Sequence, residues 1–415
     1  MRVSTLLRSG PAIWSALVLI PVLAWSTALN SGFTIAYWPS VSSRATGVLG
    51  FVSAACGAGA AWEAARVRQG GITGLAPARG PSSVAFLHLG PVALLGLLAV
   101  ATPVGVVLTS VVPPPGLPNP AVLAASYSVI LAHIALGWFV GARTPQLLGV
   151  ASLLVFGYLW GFWPAALGGL PWLRHLNGQG VNECCGLDQE PSMRSLAATV
   201  TFSLAIVTAV VLGSSARSRR RALLLSLTGF AVPTAMALSF AVPLGFHGTD
   251  DRDSALRTCT GRSPRICLWP EQDSGRAEIG HWAEETTARL ATVGVVPARQ
   301  VEFGNPRPAR TDVVSTIATS PLPDEAPACA LRDGAAYPGG DAVTALSAWL
   351  SLTGGVPESD LVRRWPSTSI ALARQISVLP AEEQHAWYER NMRSVRDCSV
   401  LPDLRAASST QAAAS

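Results

Sequence analysis

The sequence predicts an α-helical polytopic membrane bundle of about seven transmembrane helices, followed by a small α+β, mainly helical, extracytoplasmic domain. Three observations predict it. Hydrophobic residues fill 49% of the 415 positions and charged residues only 13%, about half the roughly 25% of a soluble domain. Apolar runs recur up to residue 245, each near the ~20 residues a helix needs to cross a bilayer core. The cysteines and arginines divide between alternate connecting segments, as they do when those segments face different compartments.

The runs lie near 11–29, 45–65, 84–112, 120–142, 146–169, 193–213 and 222–245, most of them without a charge in the middle. The third contains Pro91 and Pro103, each of which removes a backbone hydrogen bond and can kink the helix. Dividing it would leave two pieces too short to cross, so it counts as one span. MRVSTLLRSG ahead of the first run resembles the basic region of a secretory signal. No small-x-small cleavage site follows, and the run is kept as a span. The domains are therefore 1–246, transmembrane; 247–405, extracytoplasmic; and 406–415, a small polar tail expected to be disordered.

Orientation follows from the arginines, because cytoplasmic loops are enriched in Lys and Arg. Arg2 and Arg8 precede the first span, Arg66, Arg68 and Arg79 follow the second, Arg143 follows the fourth, and Arg217, Arg219, Arg220 and Arg221 follow the sixth. All fall on one side. Arg143 and the 217–221 cluster read as topology anchors, which places the N-terminus in the cytoplasm and everything beyond Leu244 outside a plasma membrane. A nucleic-acid reading of the net charge of +5 fails, since the basic residues sit in short segments between apolar runs rather than on one exposed face.

Cysteine placement agrees with that orientation. Of seven cysteines, Cys56 lies within a span; Cys184, Cys185, Cys259, Cys267, Cys329 and Cys398 fall on the side assigned to the exterior, where disulfides form. The four in the C-terminal domain allow three pairings, of which Cys259 with Cys267 as a local staple and Cys329 with Cys398 as a long clasp is favoured. Cys184 and Cys185 either pair with each other or tie their loop to the domain. A zinc site needs closer ligand pairs than the eight-residue step between Cys259 and Cys267 and a matching His pair.

Within the outer domain, PRICLWPE reads as a short strand. DSGRAEIGHWAEETTARLATVG carries Ile279, Trp282, Ala283, Thr286, Leu290 and Val293 at helical spacing, with Asp273 or Ser274 as cap, and VVPARQVEF reads as a second strand. NPRPARTD and PLPDEAPACA are expected to break regular structure. DAVTALSAWLSLTGG and LPAEEQHAWYERNMRSVRDC read as helices, the second with Pro380, Glu382 and Glu383 at its start.

Catalytic signatures are missing. The chain contains no lysine, which excludes a Walker A loop, a Schiff-base lysine and a Ser-Lys dyad, and it contains no nucleophile elbow. His281 with Glu284 and Glu285 lacks the HExxH spacing and reads as a solvated helix face, as does His385 with Glu389. No catalytic residue, metal ligand or cofactor site is assigned, and a membrane enzyme is the least favoured class. Ionisable side chains inside the membrane carry more weight, because burying them is costly. They are His133 in the fourth span, expected to bond a neighbouring helix, His88 early in the third, and Glu63 beside Trp62 and Arg66 at the inner end of the second, expected as an interfacial ion pair. Gly57, Gly59, Gly137 and Gly141 permit close helix packing, either within the bundle or in a homodimer.

AACGAGAAWEAARVRQGG and AHIALGWFVGARTP, together with the lysine-free, Arg- and Ala-rich usage of a high-GC actinobacterium, resemble actinobacterial permease-like proteins related to ABC-2-type transporters. The resemblance covers roughly the first 215 residues. It implies that the inner loop after the second span, with Trp62, Glu63, Arg66 and Arg68, couples to a separately encoded cytoplasmic ATPase, and that LPWLRHLNGQGVNECCG is a short outer segment. The C-terminal portion is similar to uncharacterised domains of such proteins. The expectation is a permease-like membrane subunit; the alternative is a membrane-anchored sensor or binding protein of the cell envelope.

Overall fold

The computed structural model describes residues 10–71, 81–182, 184–215, 218–331 and 337–405. Arg2, Arg8, Arg79, Arg217, the side chain of Arg219 and the 406–415 tail lie outside the described residues. The chain divides into two compact units, Met1–Asp253 and Ser254–Ser415. The first runs past the boundary at 246 drawn from hydropathy, because β2 (Thr249–Asp251) pairs antiparallel with β1 (Gln189–Pro191) and holds residues 249–251 to the membrane unit.

That unit is built from α1 (Pro11–Asn30), α2 (Trp38–Gly47), α3 (Leu49–Gln69), α4 (Pro81–Val107), α5 (Pro120–Gly141), α6 (Gln146–Ala166), α7 (Met193–Ser215) and α8 (Arg219–Ala241). Among the described residues, six helices are long and apolar enough to cross a membrane, up to seven if the pair α2 and α3, bent by 49°, is counted as one span. This is the constitution of an integral membrane protein. α4 continues through both Pro91 and Pro103, as a single span requires. α5 starts where Asn119 accepts hydrogen bonds from the Ala121 and Val122 amides ahead of Pro120, which satisfies two of the orphan donors at a helix start. α2, with Pro39 in its first turn, lies mostly ahead of the second run read from hydropathy, 45–65.

α3 is the hub. Fifteen of its 21 residues are buried, so it is solvated by protein rather than lipid and can carry small residues and charges that a lipid-facing helix could not. Its neighbours fix its direction. Gly50 and Ala54 meet Gly161 and Gly157 of α6, an antiparallel match, whereas Gly57 and Ala61 meet Gly137 and Gly141 of α5, a parallel one. At Gly137 and Gly161 the partner backbone leaves no room for a Cβ. The small residues that permitted a dimer face are thus used inside the bundle.

The 167–192 connection, which contains LPWLRHLNGQGVNECCG, folds back onto the helices and is buried at His175, Asn177 and Gln179. Asn177 donates to the Trp160 and Gly161 carbonyls at 2.8 and 3.1 Å, and Gln179 donates to the Thr46 carbonyl at 2.9 Å. The Trp160 carbonyl is open because Pro164, four residues on within α6, has no N–H to give it, and the Thr46 carbonyl lies at the end of α2 beside the bend.

The second unit contains β3 (Thr258–Thr260), β4 (Arg265–Leu268) and β5 (Gln300–Glu302), with α9 (Arg276–Ala291), α10 (Arg310–Thr319), α11 (Gly339–Gly354), α12 (Glu358–Leu361), α13 (Ser367–Ser377) and α14 (Ala381–Arg396). β3 is antiparallel to β4, and β4 is parallel to β5 with α9 as the crossover, which is the strand-helix-strand reading of the sequence. Cys259 faces Cys267 across the β3–β4 ladder and is bonded to it; Cys329 is bonded to Cys398 with Cα atoms 6.3 Å apart, and Cys184 to Cys185. The Pro-rich region is not wholly irregular. α10 forms between its two halves, where the Asp312 carboxylate accepts the Ala309 amide at 3.1 Å and Val313 and Ile317 turn inward. The helical core centres on Trp349 and Trp387, edge to face at 5.6 Å.

Candidate functional site

The charged residues of the second predicted span converge at one end of α3. Its helical repeat turns Glu63 toward α4, one turn before the arginines, and only 4% of Glu63 and 5% of His88 remain exposed. The carboxylate accepts from Arg66 at 3.0 Å through Oε1, and its Oε2 lies 3.1 Å from His88 Nδ1. A buried carboxylate is tolerable only when it is paired and hydrogen-bonded in this manner. The pair lines a cavity of about 10 Å³ with Gly10, Pro11 and Pro91, room for a single water at most. The contact between carboxylate and imidazole is thereby closed off from bulk solvent.

The neighbours of this centre have other work. Trp62 is 40% exposed. Arg68 donates to the Ala142 and Thr144 carbonyls at 3.3 and 2.7 Å, satisfying open acceptors past the end of α5. Arg143 bonds the Phe139 carbonyl at 3.0 Å and lies over the Phe139 ring. Arg220 and Arg221 are exposed in the first turn of α8, whose start is capped by the Ser218 hydroxyl accepting the Arg221 amide. Glu63 is therefore no surface ion pair: His88, 25 residues on in α4, draws it inward.

His133 stands apart. Its Nδ1 donates to the Val129 carbonyl of its own helix at 2.8 Å, not to a neighbouring helix, and its Nε2 is buried without a partner. α3 approaches closely here: a Cβ at Gly57 would lie 3.4 Å from the His133 carbonyl oxygen and 3.7 Å from the His133 Cβ.

A second polar centre, at the other end of the bundle, escaped the sequence reading. His175 is fully buried. Its Nε2 donates to the Gly245 carbonyl at 3.1 Å, and its Nδ1 accepts from the Ser195 hydroxyl at 2.8 Å. Since a carbonyl can only accept, the neutral ring carries its proton on Nε2. Burial pushes its pKa below the ordinary histidine value. The available signal was the density of amide and imidazole side chains in LRHLNGQG between two apolar runs.

In the second unit, Glu285 is clamped by Arg289 and Arg310 at 2.9 and 2.8 Å on the exposed face of α9, and these partners hold its carboxyl below the usual range. Among the described residues, no three His, Cys, Asp or Glu side chains gather as metal ligands would.

Residues 266–398, from β4 to the second cysteine of the long clasp, match a family described as a domain of unknown function, DUF7224. No curated protein and no solved structure matches the chain. The chain is thus an integral membrane protein whose disulfide-bonded C-terminal unit is similar to a domain of unknown function.

Proposed function

We propose that this protein is the permease-like membrane subunit of a transporter that works with a separately encoded cytoplasmic ATPase. One observation carries the reading: the most enclosed helix of the bundle holds a buried carboxylate between an imidazole and a guanidinium. An anchor has no need of such a group, because a charge buried among membrane helices is costly and is kept only where it is paired. The end of α3 carrying Trp62, Arg66 and Arg68 is the cytoplasmic end in this reading, and the disulfide-bonded unit lies outside the plasma membrane. Support for that sidedness is the meeting of Arg68 with the segment after α5, which brings two of the arginine-bearing connections together at one end. Pull-down from native membranes tests the coupling. Residues 70–79, replaced by a neutral Gly/Ser linker, leave Glu63 and Arg68 in place; an ATP-binding subunit recovered with the wild-type chain and lost with the linker supports the reading. No such subunit with either chain rejects it.

The alternative, an envelope sensor or binding protein on a membrane anchor, draws on the second unit having its own core around Trp349 and Trp387. Residues 254–405 fused to an unrelated membrane anchor would then retain the protein's function.

A further inference from the structure

We propose that the membrane unit carries an amphipathic cleft for an anionic phospholipid, its phosphate headgroup at Arg44 and an acyl chain between α1, α3 and α6. The end of the bundle that bears α2 holds a cavity of about 610 Å³ whose polar lining comprises Ser26, Thr27, Asn30, Arg44 and Asn182. Phe51 lines it and also lines the next cavity, about 460 Å³, with Leu19, Ala55, Leu154 and Tyr158. Both volumes fall within the roughly 300–1,000 Å³ of small-molecule sites.

Phe51 joins the two cavities into one cleft, and the positions of their lining along the helices set the apolar half deeper than the polar one. Leu19 is two turns deeper in α1 than Ser26, and Ala55 is one turn deeper in α3 than Phe51, about 10 and 6 Å by helix rise. Polarity changes along that path from a guanidinium, two amides and two hydroxyls to aliphatic and aromatic carbon. Arg44 is oriented by its Nε bond to Thr34 Oγ1 at 2.7 Å, and a guanidinium matches phosphate oxygens in charge and in fork geometry. A free phosphate or a polar peptide would leave the apolar half unfilled; only an amphiphile fits both halves. The groove of about 340 Å³ between α5, α6, α7 and α8 offers a contrast, since its lining is apolar apart from Ser226, whose hydroxyl is bonded to the Ala209 carbonyl. It suits acyl chains without selecting a headgroup.

The assignment rests on the permease reading for the lipid's being cargo and on the proposed orientation for its leaflet. The test is photolabelling of the full chain in proteoliposomes with phosphatidylglycerol bearing a diazirine on its acyl chain, followed by peptide mapping. Labelling is expected to concentrate on 154–159 and around Leu19, to fall about tenfold in Arg44→Gln through loss of a charged hydrogen-bond donor, and to disappear in Ala55→Trp, which fills the apolar half and leaves Arg44 untouched. If Arg44→Gln does not fold, Ala55→Trp decides alone. Labelling spread evenly over lipid-facing helices, including 223–227 of α8, or unchanged in Ala55→Trp, overturns the site. Displacement of the probe by inorganic phosphate overturns the lipid assignment in favour of a soluble anion. The assay needs no ATPase: concentrated labelling without a co-purifying ATPase keeps the site and rejects the permease reading, and the reverse result rejects only the site.

Discussion

The Glu63 carboxylate and the His88 imidazole face each other at 3.1 Å from adjacent membrane helices, and neither is more than 5% exposed on its side chain. Each supplies what the other needs to be buried. Glu63→Leu removes the carboxylate that both His88 and Arg66 meet and is expected to cost about 3 kcal/mol; His88→Leu leaves the Glu63–Arg66 pair in place and costs less. The double variant should lose at least about 1 kcal/mol less than the sum. Unfolding free energies from SDS titration in mixed micelles measure this, and additive losses would show that the pair is not coupled.

The α3–α5 contact depends on Gly137, where an added Cβ runs into the Gly57 backbone. Because backbone cannot move aside as a side-chain tip can, Gly137→Ala should destabilise the bundle by about 2 kcal/mol or more. Gly90→Ala, at a site with nothing within 4 Å, should match or slightly exceed the wild-type melting temperature. Equal melting temperatures for the two variants would contradict the packing.

Stability should fall with acidification through His175. Its folded pKa is lowered by burial, so below the unfolded value of about 6.5 the unfolded chain binds the proton more readily. The stabilisation is complete above about 6.5 and is lost as pH drops toward the folded pKa. His175→Gln should melt lower than wild type at pH 7.5 but show a shallower decline between about pH 7 and 5. Parallel melting curves against pH for the two proteins would assign the dependence elsewhere.

The two bridges of the second unit should differ in worth. By loop length alone, the Cys329–Cys398 bridge, 69 residues apart, is expected to contribute about 4 kcal/mol, and the Cys259–Cys267 bridge, eight apart, about 2.5 kcal/mol. Replacing each pair by serine and following protease resistance of the 254–405 region should rank them in that order. An inverted ranking would mean that the strand ladder depends on its bridge more than chain entropy implies.

Apolar run length was sufficient to find the membrane helices, since crossing hydrocarbon demands a continuous apolar surface wherever a helix meets lipid. Seven runs were legible, as was the strand-helix-strand order around α9, because each rests on local periodicity. The bend between α2 and α3, the helix α10 hidden between prolines and the burial of the 167–192 segment were not, for each depends on which distant backbone comes close. The same holds for the site. Trp62, Glu63, Arg66 and His88 could be singled out as ionisable or interfacial positions in the sequence, but that Glu63 turns inward to His88 and that Arg68 closes the end of α5 was decided by helix direction and packing. Composition determined that this chain lives in a membrane; only the tertiary structure decided which of its charges the membrane conceals, because the cost of burying a charge is set by partners that sequence distance does not reveal.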